Sequence, residues 1–119
     1  MFMLKSLLPG KMTARDAISG ARDGSILVVD VREPGEVKSS GKALGALHIP
    51  LVRLHEIANP KHPEFDKRLR QDAKIAVYCA SGGRSMAARR ILRQLGYDDV
   101  HNIGGLGGWL RAGGPVEPL

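Results

Sequence analysis

A single cysteine, Cys79, occurs among the 119 residues of the chain. That excludes an internal disulfide and any CxxC zinc or dithiol redox motif, so the fold rests on packing alone. Long apolar runs are missing as well. The longest, Ile75 to Ala80, has six residues, against the ~20 that a bilayer-spanning helix requires. The opening residues, MFMLKSLLPG, show neither the basic leader and extended apolar stretch nor the small-residue cleavage site of a secretory signal. We therefore expect a cytoplasmic protein with no membrane segment. Aromatic residues are scarce, at two Phe, one Trp and two Tyr, which leaves little material for base-stacking platforms. Neither sign of charge dominates: 18 Lys and Arg against 12 Asp and Glu give a net +6, a mild bias that attracts anions without specifying nucleic acid. No nucleic-acid partner is expected. His48, His55, His62 and His101 are not paired at metal-ligand spacing, so we expect no metal and no cofactor.

What is present is an ordinary globular composition, 43% hydrophobic and 25% charged. The length suits one domain over residues 1–119, with a core from about residue 12 to 117. Residues 13–21 read as a short amphipathic helix, with Thr13 and Asp16 as a capping pair. Ser25 to Val31 is a continuous β-branched run, the pattern of a strand buried on both faces of a parallel sheet. Residues 33–45, rich in Gly, Ser and Lys and containing Pro34, read as a surface loop with at most one helical turn. Leu47 to Ile49 adds a short strand, and residues 51–58 and 64–71 are helix candidates on either side of an Asn-Pro-Lys-His-Pro breaker. Lys74 to Tyr78 is the second buried strand, Ser85 to Leu95 the clearest helix, and Val100 to Ile103 a third strand. A last short helix surrounds Trp109, which reads as core closure. The expected fold is α/β, with a central, mostly parallel sheet of four or five short strands flanked by helices on both faces.

The most informative stretch is Cys79-Ala80-Ser81-Gly82-Gly83-Arg84-Ser85. It puts the only thiol where a buried strand stops and a helix is about to begin, the place where open parallel sheets bind ligands. Small residues and two glycines let successive N–H groups from Ala80 to Ser85 converge as an anion-binding nest, reinforced by the helix N-terminus. Beside Arg84, such surroundings lower a thiol pKa from ~8.5 into the range of ~3.5 to 7.5. Cys79 is then a nucleophile, and Ala80, Ser81, Gly82, Gly83, Arg84 and Ser85 its anion-binding loop. Arg84 has two readings, binding an anionic substrate or locking the loop through a carboxylate. The alternative for Cys79 itself is a small buried hydrophobe at a strand end. Asp30 and Arg32 end the central strand on the same side as the loop and read as its support, or more simply as a buried ion pair. Glu33 and Glu36 read as the start of a surface turn, and Arg89, Arg90 and Arg93 as a solvated helix face able to steer anions or an acidic protein.

In five segments the sequence resembles the rhodanese family: Asp30-Val31-Arg32-Glu33-Pro34 with Glu36, Gly45-Ala46-Leu47-His48-Ile49-Pro50, the Cys79 to Ser85 loop, Leu95-Gly96-Tyr97, and Gly104-Gly105 with Trp109. They fall in the family's order over residues 12–117, and the form is similar to the single-domain one. The departures lie mainly in residues 37–44, where Lys42 stands at a place many members fill with His. The resemblance implies a sulfurtransferase working through a Cys79 persulfide. A small anionic donor, thiosulfate or a persulfide, loads the sulfur, and a thiophilic acceptor, cyanide, a thiol or a protein, removes it. A carrier that delivers sulfur to a protein partner uses the same site. Phosphatases built on this fold also employ a cysteine and an arginine, but their loop looks one residue longer than the six from Cys79 to Arg84.

Overall fold

The β-branched runs that the sequence places in buried strands occupy the two central positions of the sheet. The structure is a computed structural model that describes residues 11–119. Strand β1 (Ile26–Asp30) lies beside β4 (Lys74–Cys79), with Val29 opposite Val77 and Asp30 opposite Tyr78. Strands β3 (Leu47–His48) and β5 (Val100–Gly105) flank them, giving the order β3-β1-β4-β5 with all three pairings parallel. Alternate side chains of β4 enter opposite layers. Ile75, Val77 and Cys79 join Leu54, Ala88, Leu92 and Tyr97 on one face, while Ala76 and Tyr78 join Ala17, Ile18, Leu106 and Trp109 on the other. Burial on both faces explains why β1 and β4 read as unbroken apolar runs rather than alternating ones. At Ile75, fully buried, truncation to alanine costs about 2–5 kcal/mol.

Helices cover both layers, as expected. On the Trp109 side lie α1 (Ala14–Asp23), closed at its start by the Thr13–Asp16 capping box, and α5 (Leu106–Arg111). On the other lie α3 (Leu54–Ile57), entered through a 3-10 turn at Leu51–Arg53, and α4 (Gly83–Gln94). The helix around Trp109 and its core role are as read, and the indole Nε1 donates to Pro115 O at 2.8 Å.

Three segments depart from the sequence reading. Residues 33–45 hold a seven-residue helix, α2 (Pro34–Ser40), in place of the expected loop. Pro34 sits in its first turn, where a missing N–H is harmless, and Glu33 with Glu36 forms a capping box. Residues 64–71 are turns instead of a helix. Asp66 Oδ1 accepts from Arg68 N at 2.9 Å, the local side-chain bond that competes with a helix, while Leu69 still reaches the core. Finally, β2 (Lys42–Ala43) pairs antiparallel with β6 (Val116–Glu117), and Lys42 meets Glu117 at 2.7 Å. That gives Lys42 a structural partner in the C-terminal strand.

Candidate functional site

Cys79 is the last residue of β4, and its side chain is fully buried. Beyond it the backbone turns through Gly82, whose φ of 104° lies in the left-handed region open to glycine, and α4 begins at Gly83, two residues before the expected start. The turn carries Gly82 N–H to 2.9 Å from Cys79 Sγ and Ser85 Oγ to 3.4 Å. Strand β5 presses against the loop from the side. A Cβ on Gly105 would overlap Ala80 O, so only glycine permits this approach, while Gly104 has a φ of 95° in the left-handed region open to glycine.

Two opposed effects act on the thiol. Burial pushes its pKa up, but the Ser85 hydroxyl and the N–H groups of Ser85, Gly82 and Ser81 outweigh it and bring the pKa down to about 7. A substantial share of the sulfur is then thiolate at neutral pH, held mainly by these dipoles, with the Arg84 charge acting on it at longer range. Of the expected nest, Ser81, Gly82 and Ser85 bond toward the sulfur and Arg84 acts on it through its charge, while Gly83 opens the first turn of α4.

Arg84 makes a two-pronged pair with a carboxylate. Its Nη1 and Nη2 donate to Glu36 Oε1 and Oε2 at 2.6 and 2.9 Å. The Arg84 guanidinium, followed by the Glu33 N–H, holds the Glu36 carboxyl down at about 2. Glu36 is therefore more than the surface turn read from the sequence: it ties α2 to the loop. Of the two readings of Arg84, the loop lock is the one the geometry displays.

Asp30 and Arg32 form the buried ion pair, 2.7 Å apart. Tyr78 donates to Asp30 Oδ2 at 2.6 Å, and Arg32 donates to Ser40 Oγ and Gly41 O at 2.8 and 2.7 Å. These bonds fasten the end of α2 to the sheet and so set where Glu36 and Arg84 stand. His48 Nε2 lies 2.7 Å from Arg32 O, to which it donates. No histidine is among the hydrogen-bond partners of Cys79 Sγ, so an acyl-transfer mechanism with a histidine base has no support here.

Sequence reasoning missed Asn102. Its Oδ1 lies 2.7 Å from Ser85 Oγ and accepts from Gly104 N at 2.9 Å, while its Nδ2 donates to Gly82 O at 3.1 Å. One amide thus joins β5, the loop and α4. Its only sequence signal is its place two residues before the glycine pair.

Comparison with known proteins places this arrangement. The family model described as "Rhodanese-like domain" matches residues 13–112. A Schizosaccharomyces pombe protein named "Putative thiosulfate sulfurtransferase, mitochondrial" is 34% identical over 93 residues, 74% of this chain and 63% of that protein, so the chain spans less than two thirds of its length. "Thiosulfate sulfurtransferase 16, chloroplastic" of Arabidopsis thaliana is 35% identical over 94 residues, covering 75% and 78% of the two chains. Among solved structures, a Rhodopseudomonas palustris protein of unknown function, described as a possible tyrosine phosphatase, superposes with a TM-score of 0.80 at 32% identity, over 97% of this chain and 89% of that one. With the strand order, the glycine-lined cysteine loop and the match over residues 13–112 in agreement, the chain belongs to the rhodanese-like domain family.

Proposed function

We propose that the protein is a sulfurtransferase that carries a sulfane sulfur on Cys79. In the loading step the Cys79 thiolate attacks the outer sulfur of thiosulfate. A new S–S bond forms, the old one breaks, and sulfite departs with its electron pair, leaving the persulfide anion. In the second step cyanide or a thiol attacks the outer sulfur, thiocyanate or a new persulfide leaves, and the thiolate returns. Ser81, Gly82 and Ser85 hold the negative charge on sulfur throughout, and Arg84, locked by Glu36, keeps the loop in that shape. Such a cycle needs a reduced thiol, which suits a reducing compartment such as the cytoplasm.

The observation that carries the reading is a strand-end thiol brought to about 7 by converging N–H and hydroxyl groups. The names of the related thiosulfate sulfurtransferases support the donor class. A phosphatase reading gains nothing from the loop, because both Nη atoms of Arg84 face Glu36 and only six residues run from Cys79 to Arg84. Steady-state formation of thiocyanate from thiosulfate and cyanide tests the proposal, and Cys79→Ala is expected to abolish it. Turnover undiminished in that variant would refute it.

A second reading has its own observation. The Glu36 carboxylate neutralises Arg84, which weakens its pull on a free small anion and favours a carrier that yields its sulfur to a protein. The carrier shows slow thiocyanate formation together with a persistent persulfide.

A further inference from the structure

Helix α4 begins at the cysteine loop and ends about 18 Å away, at 1.5 Å per residue. Its inner face, with Ser85, Ala88 and Leu92, is buried. The outer face exposes Met86, 59% accessible, and then Arg89, Arg90 and Arg93. Met86 belongs to two cavities at once. It lines one of about 570 Å³ together with Ser81, Gly82 and Gly83 of the loop and with Lys11. It also lines a shallow one of about 390 Å³ with the three arginines. A continuous surface therefore runs from the cysteine loop over one exposed apolar side chain to a cluster of cations.

What sets the cluster apart is its density on one helix face, since Arg15, Arg22 and Arg111 elsewhere are also without an ion-pair partner among the described residues. Arg32, Arg53, Arg68, Arg70 and Arg84 each pair with a carboxylate. Arg89 instead donates to Val100 O, and neither Arg90 nor Arg93 has a hydrogen-bond or ion-pair partner among the described residues. Like charges three and four residues apart, as in Arg90–Arg93 and Arg89–Arg93, destabilise a helix. The dipole offsets this only for Arg93, in the last turn. Within the chain only the Arg89 bond to Val100 O and the dipole at Arg93 offset this repulsion, whereas a partner with carboxylates relieves it.

We propose that this face of α4 docks an acidic protein that removes sulfur from Cys79. The proposal rests on the sulfur-transfer reading and names its acceptor by chemistry: glutamate- or aspartate-rich, with an apolar side chain for Met86 and a thiol at the loop. A protein footprint of the usual ~800 Å² per partner spans loop and arginines together. An anionic nucleic acid is the weaker fit, because an unbranched thioether is the only large apolar group on the face and no aromatic residue lines either cavity.

The test has a binding arm and a transfer arm. In the first, a labelled glutamate-rich peptide with one leucine, and serine where its thiol would be, is titrated onto the unloaded full-length protein by fluorescence anisotropy. Binding is expected to weaken about tenfold in Arg90→Glu with Arg93→Glu, to a smaller extent in the milder Arg90→Gln with Arg93→Gln, and to fade as salt rises. Equal binding by wild type and both double variants overturns the proposal. So does tighter binding of a single-stranded oligonucleotide of equal charge. In the transfer arm the peptide carries cysteine and discharges the loaded protein. Its rate is expected to fall about tenfold in the double glutamate variant while discharge to cyanide stays unchanged, and an unchanged peptide rate overturns the proposal. If neither thiosulfate nor a persulfide donor loads Cys79, the sulfur-transfer reading fails, and with it the acceptor, whatever the binding arm shows.

Discussion

The carboxyl ends of β1 and β4 lie side by side, yet they hold buried charge in opposite ways. At the end of β1, Asp30 is balanced by Arg32, and every remaining polar atom of the pair is used by Tyr78, Ser40 or Gly41. At the end of β4, Cys79 faces N–H and hydroxyl dipoles with no full countercharge in hydrogen-bond contact. Charge against charge produces a fixed joint. Charge against dipoles leaves the thiol near the midpoint of its titration, where proton loss is cheap and the nucleophile keeps its reactivity. The first network is the foundation of the second, because Arg32 anchors α2, α2 presents Glu36, and Glu36 locks Arg84.

Cys79→Ala removes the nucleophile, and complete loss of sulfur loading is expected with the fold retained, read by thiocyanate assay and far-UV circular dichroism. Asp30→Ala leaves Arg32 buried without its countercharge and is expected to lower stability by about 3–5 kcal/mol in urea unfolding. Ser85→Ala strips one hydrogen bond from the thiolate and raises the Cys79 pKa above about 7 by about one to two units, given ~1.5–3 kcal/mol for a bond to a charged group. Alkylation by iodoacetamide across pH measures this shift. In wild type the same profile rises with pH through about 7 and levels off above it, since only the thiolate reacts. Glu36→Gln frees Arg84, and because that pair is half exposed the expected effect is smaller. Loading by thiosulfate slows several-fold, and the acid sensitivity contributed by the depressed Glu36 pKa disappears. A carboxyl held at about 2 instead of 4.5 contributes stability above pH 4.5, lost as pH falls toward 2.

The same comparison shows what the sequence could reveal. The core strands were legible because burial on both faces writes a continuous run of β-branched residues, as in β1. The cysteine loop was legible because a strand end, two glycines and a helix start are consecutive. Helix α2 was misread as a loop because Pro34 looks like a breaker until its first-turn position is known. Residues 64–71 deceived in the opposite direction: Phe65 and Leu69 are spaced as on a helix, but turns bring Leu69 inward just as well. Glu36 and Asn102 were hidden for a different reason. Their partners lie 48 and 17 residues away, Arg84 for one and Ser85 for the other, and such pairings leave no local pattern.

The most direct test of the central claim is the intact mass of the protein after exposure to thiosulfate and again after cyanide, with Cys79→Ala alongside. The account predicts a gain of one sulfur atom that cyanide removes and that the variant never shows. A sulfur gained equally by Cys79→Ala, or no gain from either thiosulfate or a persulfide donor, would contradict it.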